Sequence, residues 1–194
     1  MKKLLIISLL SCFSWTAQAA WVLDKDNTSV NFVTIKSDHI AEISSFKKVT
    51  GSISDEGTAE VNIDLASVDT LIPIRDERMQ VHLFETATYA QATIIAQLDV
   101  AKLNELAVGS MMSLELTGQL SLHGEKQEIS TLVVVSRLTD TQLLVVSQQP
   151  IVVNAEQYKL ANGVNKLREI AGLPSISYAV PVNFVLTFSK KASS

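Results

Sequence analysis

A run of charged residues stands between segments that otherwise alternate apolar and polar positions. Positions 75–78 read Arg-Asp-Glu-Arg, and Pro73 precedes them. Met79 and Leu83 follow with the spacing of neighbouring side chains on one helix face. Pro73 interrupts the strand pattern, and the spacing of Met79 and Leu83 suits a helix, so the sequence predicts a short lid helix near 75–84 with its charges outward.

Three side chains of this stretch could hold a polar group at the rim of a cavity: Arg75, Arg78 and His82. A run of charges is more often a solvated surface, so a plain surface helix stays an equal alternative. Arg75 and Asp76 could also form an ion pair with each other that holds the lid. The sequence favours this pair somewhat over contact of Arg75 with a ligand.

The sequence offers little for metal or catalytic chemistry. His39, His82 and His123 are far apart and lack the paired spacing of metal ligands. Nucleophile, phosphate-loop and dinucleotide motifs are missing from the sequence. We therefore expect a binding protein without cofactor or metal. An enzyme that acts on an isoprenoid lipid, with His82 or His123 as the base, is the second hypothesis.

Strict alternation predicts a mainly β fold. Thr58–Leu65, Gln91–Lys102 and Ser110–His123 each place apolar residues on one face and polar residues on the other. Phe46–Ser54 is a weaker candidate for a strand. About eight such strands at hairpin spacing form an antiparallel sheet that must bury one face, as a sandwich or a barrel. Residues 110–123 would span ~45 Å when extended, against ~17–20 Å for an ordinary strand, which favours a tall barrel.

The inward positions are aliphatic rather than aromatic, since aromatic residues are only 6% of the chain. Such side chains suit a narrow tunnel, although a filled core is an equally good interpretation of periodicity alone. A tunnel would accept a long hydrocarbon chain, because each buried methylene contributes ~0.8 kcal/mol. The candidate lining residues are Phe32, Ile94, Leu98, Met112, Leu114, Leu116, Leu120, Phe184 and Leu186.

The segment near 155–171 changes from alternating to helical spacing. Val164, Leu167 and Ile170 repeat at helical intervals, and Gly172 suits a left-handed cap. Gly163 makes a single unbroken helix doubtful. We expect a helical insert here, between strands.

The first 19 residues resemble a secretory leader, with Lys2 and Lys3, an apolar run and a small-residue site before Ala20. We expect cleavage after Ala19, a single domain over 20–194 and a periplasmic location. Loss of the two lysines lowers the formal net charge from −4 to −6, which argues against nucleic acid as partner.

The only cysteine, Cys12, lies in the leader. The remaining chain contains no apolar run long enough for a transmembrane helix. Charged outward positions argue against an outer-membrane barrel. A homodimer is compatible with the sequence.

Four motifs occur in order along the chain: Ser29–Phe32; Phe46 with Gly51-Ser52-Ile53; Ser67–Thr70 with Arg75-Asp76, Phe84 and Tyr89; and Gly118–Gly124. Together they resemble the YceI-like family of periplasmic lipid-binding proteins. The resemblance implies an extended lipocalin-like β-barrel that encloses a polyisoprenoid or quinone-like lipid. Ala90 stands where the family usually has Pro, and the helical insert is a variant of its C-terminal region.

Overall fold

The structure, a computed structural model, describes residues 19–191. The predicted leader up to Gln18, with Cys12, lies outside these residues. The signal peptide and its cleavage site therefore stay predictions.

The described residues form twelve strands, three α-helices and three shorter helical turns. The strands are β1 (Ala19–Leu23), β2 (Ser29–Lys36), β3 (Ile40–Phe46), β4 (Val49–Ser54), β5 (Thr58–Asp64), β6 (Val68–Asp69), β7 (Gln91–Gln97), β8 (Met111–Leu122), β9 (Glu125–Thr139), β10 (Gln142–Ser147), β11 (Ile151–Asn154) and β12 (Ala179–Lys190). The helices are α1 (Pro73–Arg78), α2 (Val100–Glu105) and α3 (Ala161–Ala171). The turns are 3₁₀ at Leu65–Ser67 and Ala155–Tyr158, and π at Met79–Leu83.

The twelve strands occupy eight positions around a closed antiparallel barrel. The order β1-β4-β5-β7-β8-β9-β10-β12 closes because β12 also pairs with β1. Near its start, β12 pairs instead with β2, so β1 and β2 share one position. The pairs β4/β3, β5/β6 and β10/β11 share positions in the same way. The predicted barrel of about eight strands is confirmed. Four of its eight positions are each occupied by two shorter strands.

Inward-facing apolar residues line the inside of the barrel. On β8, Met112, Leu114 and Leu116 alternate with exposed Ser113 and Glu115. This alternation follows from the pleat, which sends successive side chains to opposite faces.

Helical segments cover one end of the barrel. α1 begins at Pro73 and runs directly into the π-helical turn, which together form the predicted lid. α3 packs beside this turn and ends at Gly172, whose φ of 63° gives the expected left-handed cap. The helical insert is therefore confirmed as a 3₁₀ turn followed by α3.

Two strand boundaries differ from the predicted ones. The alternation of Gln91–Lys102 predicted one strand, but β7 ends at Gln97 because the Asp99 carboxylate accepts a hydrogen bond from Lys102 N and starts α2. The block Phe46–Ser54 predicted one weak strand. It is split at positions 47–48 between the end of β3 and the whole of β4.

Candidate functional site

The barrel encloses two adjoining apolar chambers. The upper chamber, of about 380 Å³, lies under the lid and α3. The lower chamber, of about 310 Å³, lies between the far halves of the strands and α2. Both are lined mainly by aliphatic and aromatic side chains, so the barrel is hollow rather than filled.

The two chambers meet at a ring of six residues that line both of them, which we call the waist. All six are Val or Ile: Val30, Ile63, Ile94, Ile129, Ile151 and Val182. Side chains branched at Cβ have few χ1 rotamers, so this ring has a well-defined width. The shared lining shows that the two chambers lie end to end, with this one ring of side chains between them.

All nine side chains predicted for the lining lie on the chamber walls. Phe32 and Leu120 line the upper chamber, Ile94 lies at the waist, and the other six line the lower chamber. Alternation placed them on the inner face, and the closed barrel makes that face a cavity wall. Their contact with a bound lipid stays a prediction.

An ion-pair cluster lies where the upper chamber meets the surface. Glu42 Oε1 lies 2.7 Å from Lys36 Nζ, and Glu42 Oε2 lies 2.6 Å from Arg75 Nη1. All three side chains line the upper chamber and are about a quarter to a third exposed. The hydrogen bond from Lys36 lowers the pKa of Glu42, and the charge of Arg75 adds to this against the opposing effect of burial. The cluster ties the lid helix to β2 and β3.

Asp76 has a different partner from the predicted one. Its Oδ1 accepts hydrogen bonds from Thr70 N at 2.8 Å and from Thr70 Oγ1 at 2.6 Å. Arg75 Nη2 donates to the carbonyl oxygen of Thr70 at 2.7 Å. Arg75 and Asp76 therefore both hold the lid, but through Glu42 and Thr70 and not through each other. The expected Arg75–Asp76 ion pair is wrong because successive residues of a helix point in different directions.

The other two predicted rim residues differ in placement. Arg78 lines the upper chamber and makes no salt bridge within residues 19–191. His82 lies on the π-helical turn and lines neither chamber, because Met79 and Leu83 are the members of that turn that face inward. Arg78 is thus a cation available to a ligand, whereas His82 is not placed to touch one.

His123 is buried away from the cavity. It lies in the turn between β8 and β9 and contacts the Tyr89 ring, with 4.3 Å between ring centroids. Its Nε2 is 3.6 Å from Glu85 Oε1, and neither ring nitrogen has a hydrogen-bond partner among the described residues. His123 lines neither chamber, so it has no access to a molecule inside the barrel.

Sequence reasoning missed part of the wall. Val164, Leu167 and Ile170 of α3 line the upper chamber. Their helical spacing was visible, but nothing in it indicated which surface α3 would cover. Five of the six waist residues were also missed, because single Val and Ile positions on separate strands carry no sign that they meet.

Within residues 19–191, no group of three or more His, Asp or Glu residues is arranged to hold a metal ion. A search of the same residues also finds no helix with the length and apolar character needed to cross a membrane. The chemistry of the cavity is that of an apolar container with a few charged residues at its margins.

Comparison with known proteins identifies the family of the chain. A family model described as YceI-like domain matches residues 21–188. The chain belongs to the YceI-like family. No curated protein matches it.

Several solved structures have a similar fold. A domain from Saccharophagus degradans, described as a polyisoprenoid binding domain implicated in plant cell wall breakdown, is 40% identical, with a TM-score of 0.88 over 90% of this chain and 100% of its own. BcnA of Burkholderia cenocepacia is 19% identical, with a TM-score of 0.66 over 85% of this chain and 98% of its own. The YCEI protein of Campylobacter jejuni is 16% identical, with a TM-score of 0.54 over 77% and 85% of the two chains. The latter two establish likeness of fold alone.

Proposed function

We propose that this protein is a periplasmic carrier that holds one isoprenoid lipid, of quinone type or with another polar head group. The hydrocarbon chain occupies both chambers and passes through the waist. The head group lies at the mouth of the upper chamber beside Arg78. The leader-like first 19 residues support the periplasmic location.

The observation that carries this proposal is the pair of apolar chambers that lie end to end and share six lining residues. Two chambers in line, with branched aliphatic walls, match a branched hydrocarbon chain in shape and polarity. Each methylene moved from water into it contributes ~0.8 kcal/mol, so a long chain is held without polar contacts. The polyisoprenoid-binding domain of Saccharophagus degradans, 40% identical, supports the same class of ligand.

Membership of the family and likeness to a binding domain both indicate a binding protein rather than an enzyme. The enzymatic alternative also loses its chemical basis. His82 and His123 were the two candidate bases, and neither lines a chamber. A bound lipid inside the barrel would therefore be out of reach of both imidazoles.

Organic extraction of protein purified from the periplasmic fraction, followed by mass spectrometry, tests the proposal. We expect one isoprenoid lipid per chain in the wild type. Ile94→Trp should lose it, because an indole at the waist blocks the passage between the chambers. Ile95→Trp is the matched control, since Ile95 is the next residue of β7 and is 44% exposed on the outside.

A wild-type extract without isoprenoid would contradict the ligand class. Retention of the same lipid by Ile94→Trp would contradict its path through the waist. Recovery of the protein only from the cytoplasm would contradict the location.

A further inference from the structure

The barrel wall is incomplete between β7 and β8. These strands pair only from Thr93↔Ser121 to Ala96↔Gly118, because β7 ends at Gln97. β8 begins at Met111, so its first seven residues, 111–117, have no strand beside them on this edge. On its other edge, β8 pairs with β9 along its whole length. We call the gap beside residues 111–117 the seam.

α2 covers the seam with side chains instead of a hydrogen-bonded strand. Leu103 is its buried anchor, with 4% of its surface exposed. Arg137 Nη1 donates to the carbonyl oxygens of Leu103 and Asn104 at 3.3 and 3.2 Å, which holds the end of the helix to β9. Within residues 19–191, no backbone hydrogen bond joins α2 to residues 111–117.

The lower chamber reaches exposed, charged side chains beside this seam. Asp99 and Lys102, at the start of α2, line the chamber and are exposed to solvent. Gln97 and Glu115 also border the chamber, but their side-chain ends lie on the outer surface, bound to Thr58 Oγ1 and Ser130 Oγ. The side chains of Lys102 and Asp99 are 73% and 54% exposed. Apart from buried Thr131, the rest of the chamber wall is apolar or glycine. Residues that touch both the cavity and the solvent mark a place where the two are in contact.

We infer that the seam is a second opening of the cavity, through which the far end of a hydrocarbon chain leaves the lower chamber. This inference rests on the proposed function, because it assigns a path to the tail of the same ligand. The two ends of the cavity then have different roles, since the upper mouth holds the polar head and the seam releases any tail that exceeds the two chambers. Such a carrier accepts chains above a minimum length without an upper limit.

Chain-length dependence of binding distinguishes an open seam from a closed floor. The probe is a series of isoprenoid alcohols that share one head group and differ only in chain length, titrated into delipidated protein. Affinity should rise by about fourfold per buried methylene until the chambers are full. Beyond that length it should stay constant, because the emerging tail contacts only solvent. A steep fall in affinity at a fixed length would overturn the inference, since a closed floor forces overpacking.

Lys102→Trp tests the position of the opening. An indole across the seam should weaken binding of the chains beyond the plateau by about tenfold or more and leave the shorter chains unchanged. Lys126→Trp, on the exposed outer side of β9, is the control. Lys102→Phe places a smaller ring at the same position and serves if Lys102→Trp does not fold.

Unchanged binding of the long chains by a folded seam variant would overturn the assigned position. A failure of every alcohol to bind the wild type would overturn the proposed function and the second opening together. Normal binding of short chains with exclusion of long ones would overturn the opening alone.

Discussion

At the scale of single residues, Glu42 is, together with Asp76, one of two carboxylates that hold the lid. It accepts from Lys36 on β2 and from Arg75 on α1, so one carboxylate joins the lid to the barrel. Its pKa lies below the usual value for glutamate. A depressed folded-state pKa means that the carboxylate stabilises the fold at pH above the unfolded value, and that this contribution is lost as the pH falls through the folded value.

Glu42→Gln should therefore lower the free energy of unfolding by about 0.5–1 kcal/mol near neutral pH, since partly exposed pairs contribute little. The difference from the wild type should shrink once the pH falls below about 4.3, the ordinary pKa of glutamate, and should vanish once the pH falls through the lowered pKa of folded Glu42. Urea denaturation over a pH series measures both. Glu77→Gln is the control, because Glu77 is exposed and has no salt bridge within the described residues. A pH-independent difference would show that the charge of Glu42 is not what holds the lid.

Arg78 is the residue expected to select the head group. It lines the upper chamber without a carboxylate partner among the described residues. Arg78→Ala should weaken binding of an isoprenoid with an anionic or carbonyl head group by about tenfold, since a hydrogen bond from a charged donor contributes ~1.5–3 kcal/mol. Binding of the matching hydrocarbon without a head group should not change, as measured by fluorescence competition.

Arg168→Ala removes a cation from α3 that does not line the chamber and is the matched control. Equal affinity of Arg78→Ala and the wild type for every head group would contradict a role for Arg78 in recognition.

Alternation along a strand was enough to place side chains on the inner wall, because the pleat fixes the direction of every second residue. It could not indicate partners that are distant in sequence. Glu42 and Arg75 are 33 positions apart, and only the closure of the lid brings them together. For the same reason the neighbouring pair Arg75 and Asp76 was a natural but wrong choice.

At the scale of elements, the contact between α3 and the lid determines how the upper chamber is roofed. A Cβ atom added at Gly163 would lie 2.5 Å from the carbonyl oxygen of His82 and 2.8 Å from Leu83 Cα. Both are backbone atoms and cannot move aside independently. Gly163, which made the helix doubtful in sequence, is present because α3 must approach the lid backbone closely.

Gly163→Ala should destabilise the protein by about 1–2 kcal/mol, because the clash exceeds the gain in helix propensity. Urea denaturation measures the change. Asn162→Ala, at the preceding exposed position of the same helix, should change stability by only a few tenths of a kcal/mol. Equal or greater stability of Gly163→Ala would contradict the close packing of α3 against the lid.

The end of β7 could not be predicted from the alternation of apolar and polar residues. Leu98 and Val100 continue the strand-like alternation past Gln97, yet Asp99 caps α2 and ends the strand. The weak alternation favours a longer strand, whereas the single capping residue favours a helix. The packing of buried Leu103 stabilises the helix. The seam, and with it the second opening, was therefore not predictable from the sequence.

At the scale of the whole molecule, the barrel encloses a cavity where most domains have a packed core. Closed interiors normally reach crystal-like packing, and empty apolar space reduces stability. A ligand that fills both chambers restores these contacts. The family could be predicted from ordered motifs along the chain, whereas the hollow interior could not, because alternation is the same for a filled and an empty barrel.

Removal of the lipid should lower the thermal stability of the protein. A ligand present at 100 times its dissociation constant stabilises the native state by about 2.7 kcal/mol. For a domain of this size this corresponds to a shift in Tm of about 5–10 °C. Differential scanning calorimetry of loaded and delipidated protein measures the shift, and readdition of the lipid should reverse it. Identical Tm values would contradict lipid binding inside the barrel.

A crystal structure of the protein purified with its native lipid tests the central claim most directly. The account predicts one unbroken tube of electron density from Arg78, through the ring of Val30, Ile63, Ile94, Ile129, Ile151 and Val182, into the lower chamber. Side chains that meet across this ring, with no density between them, would contradict it.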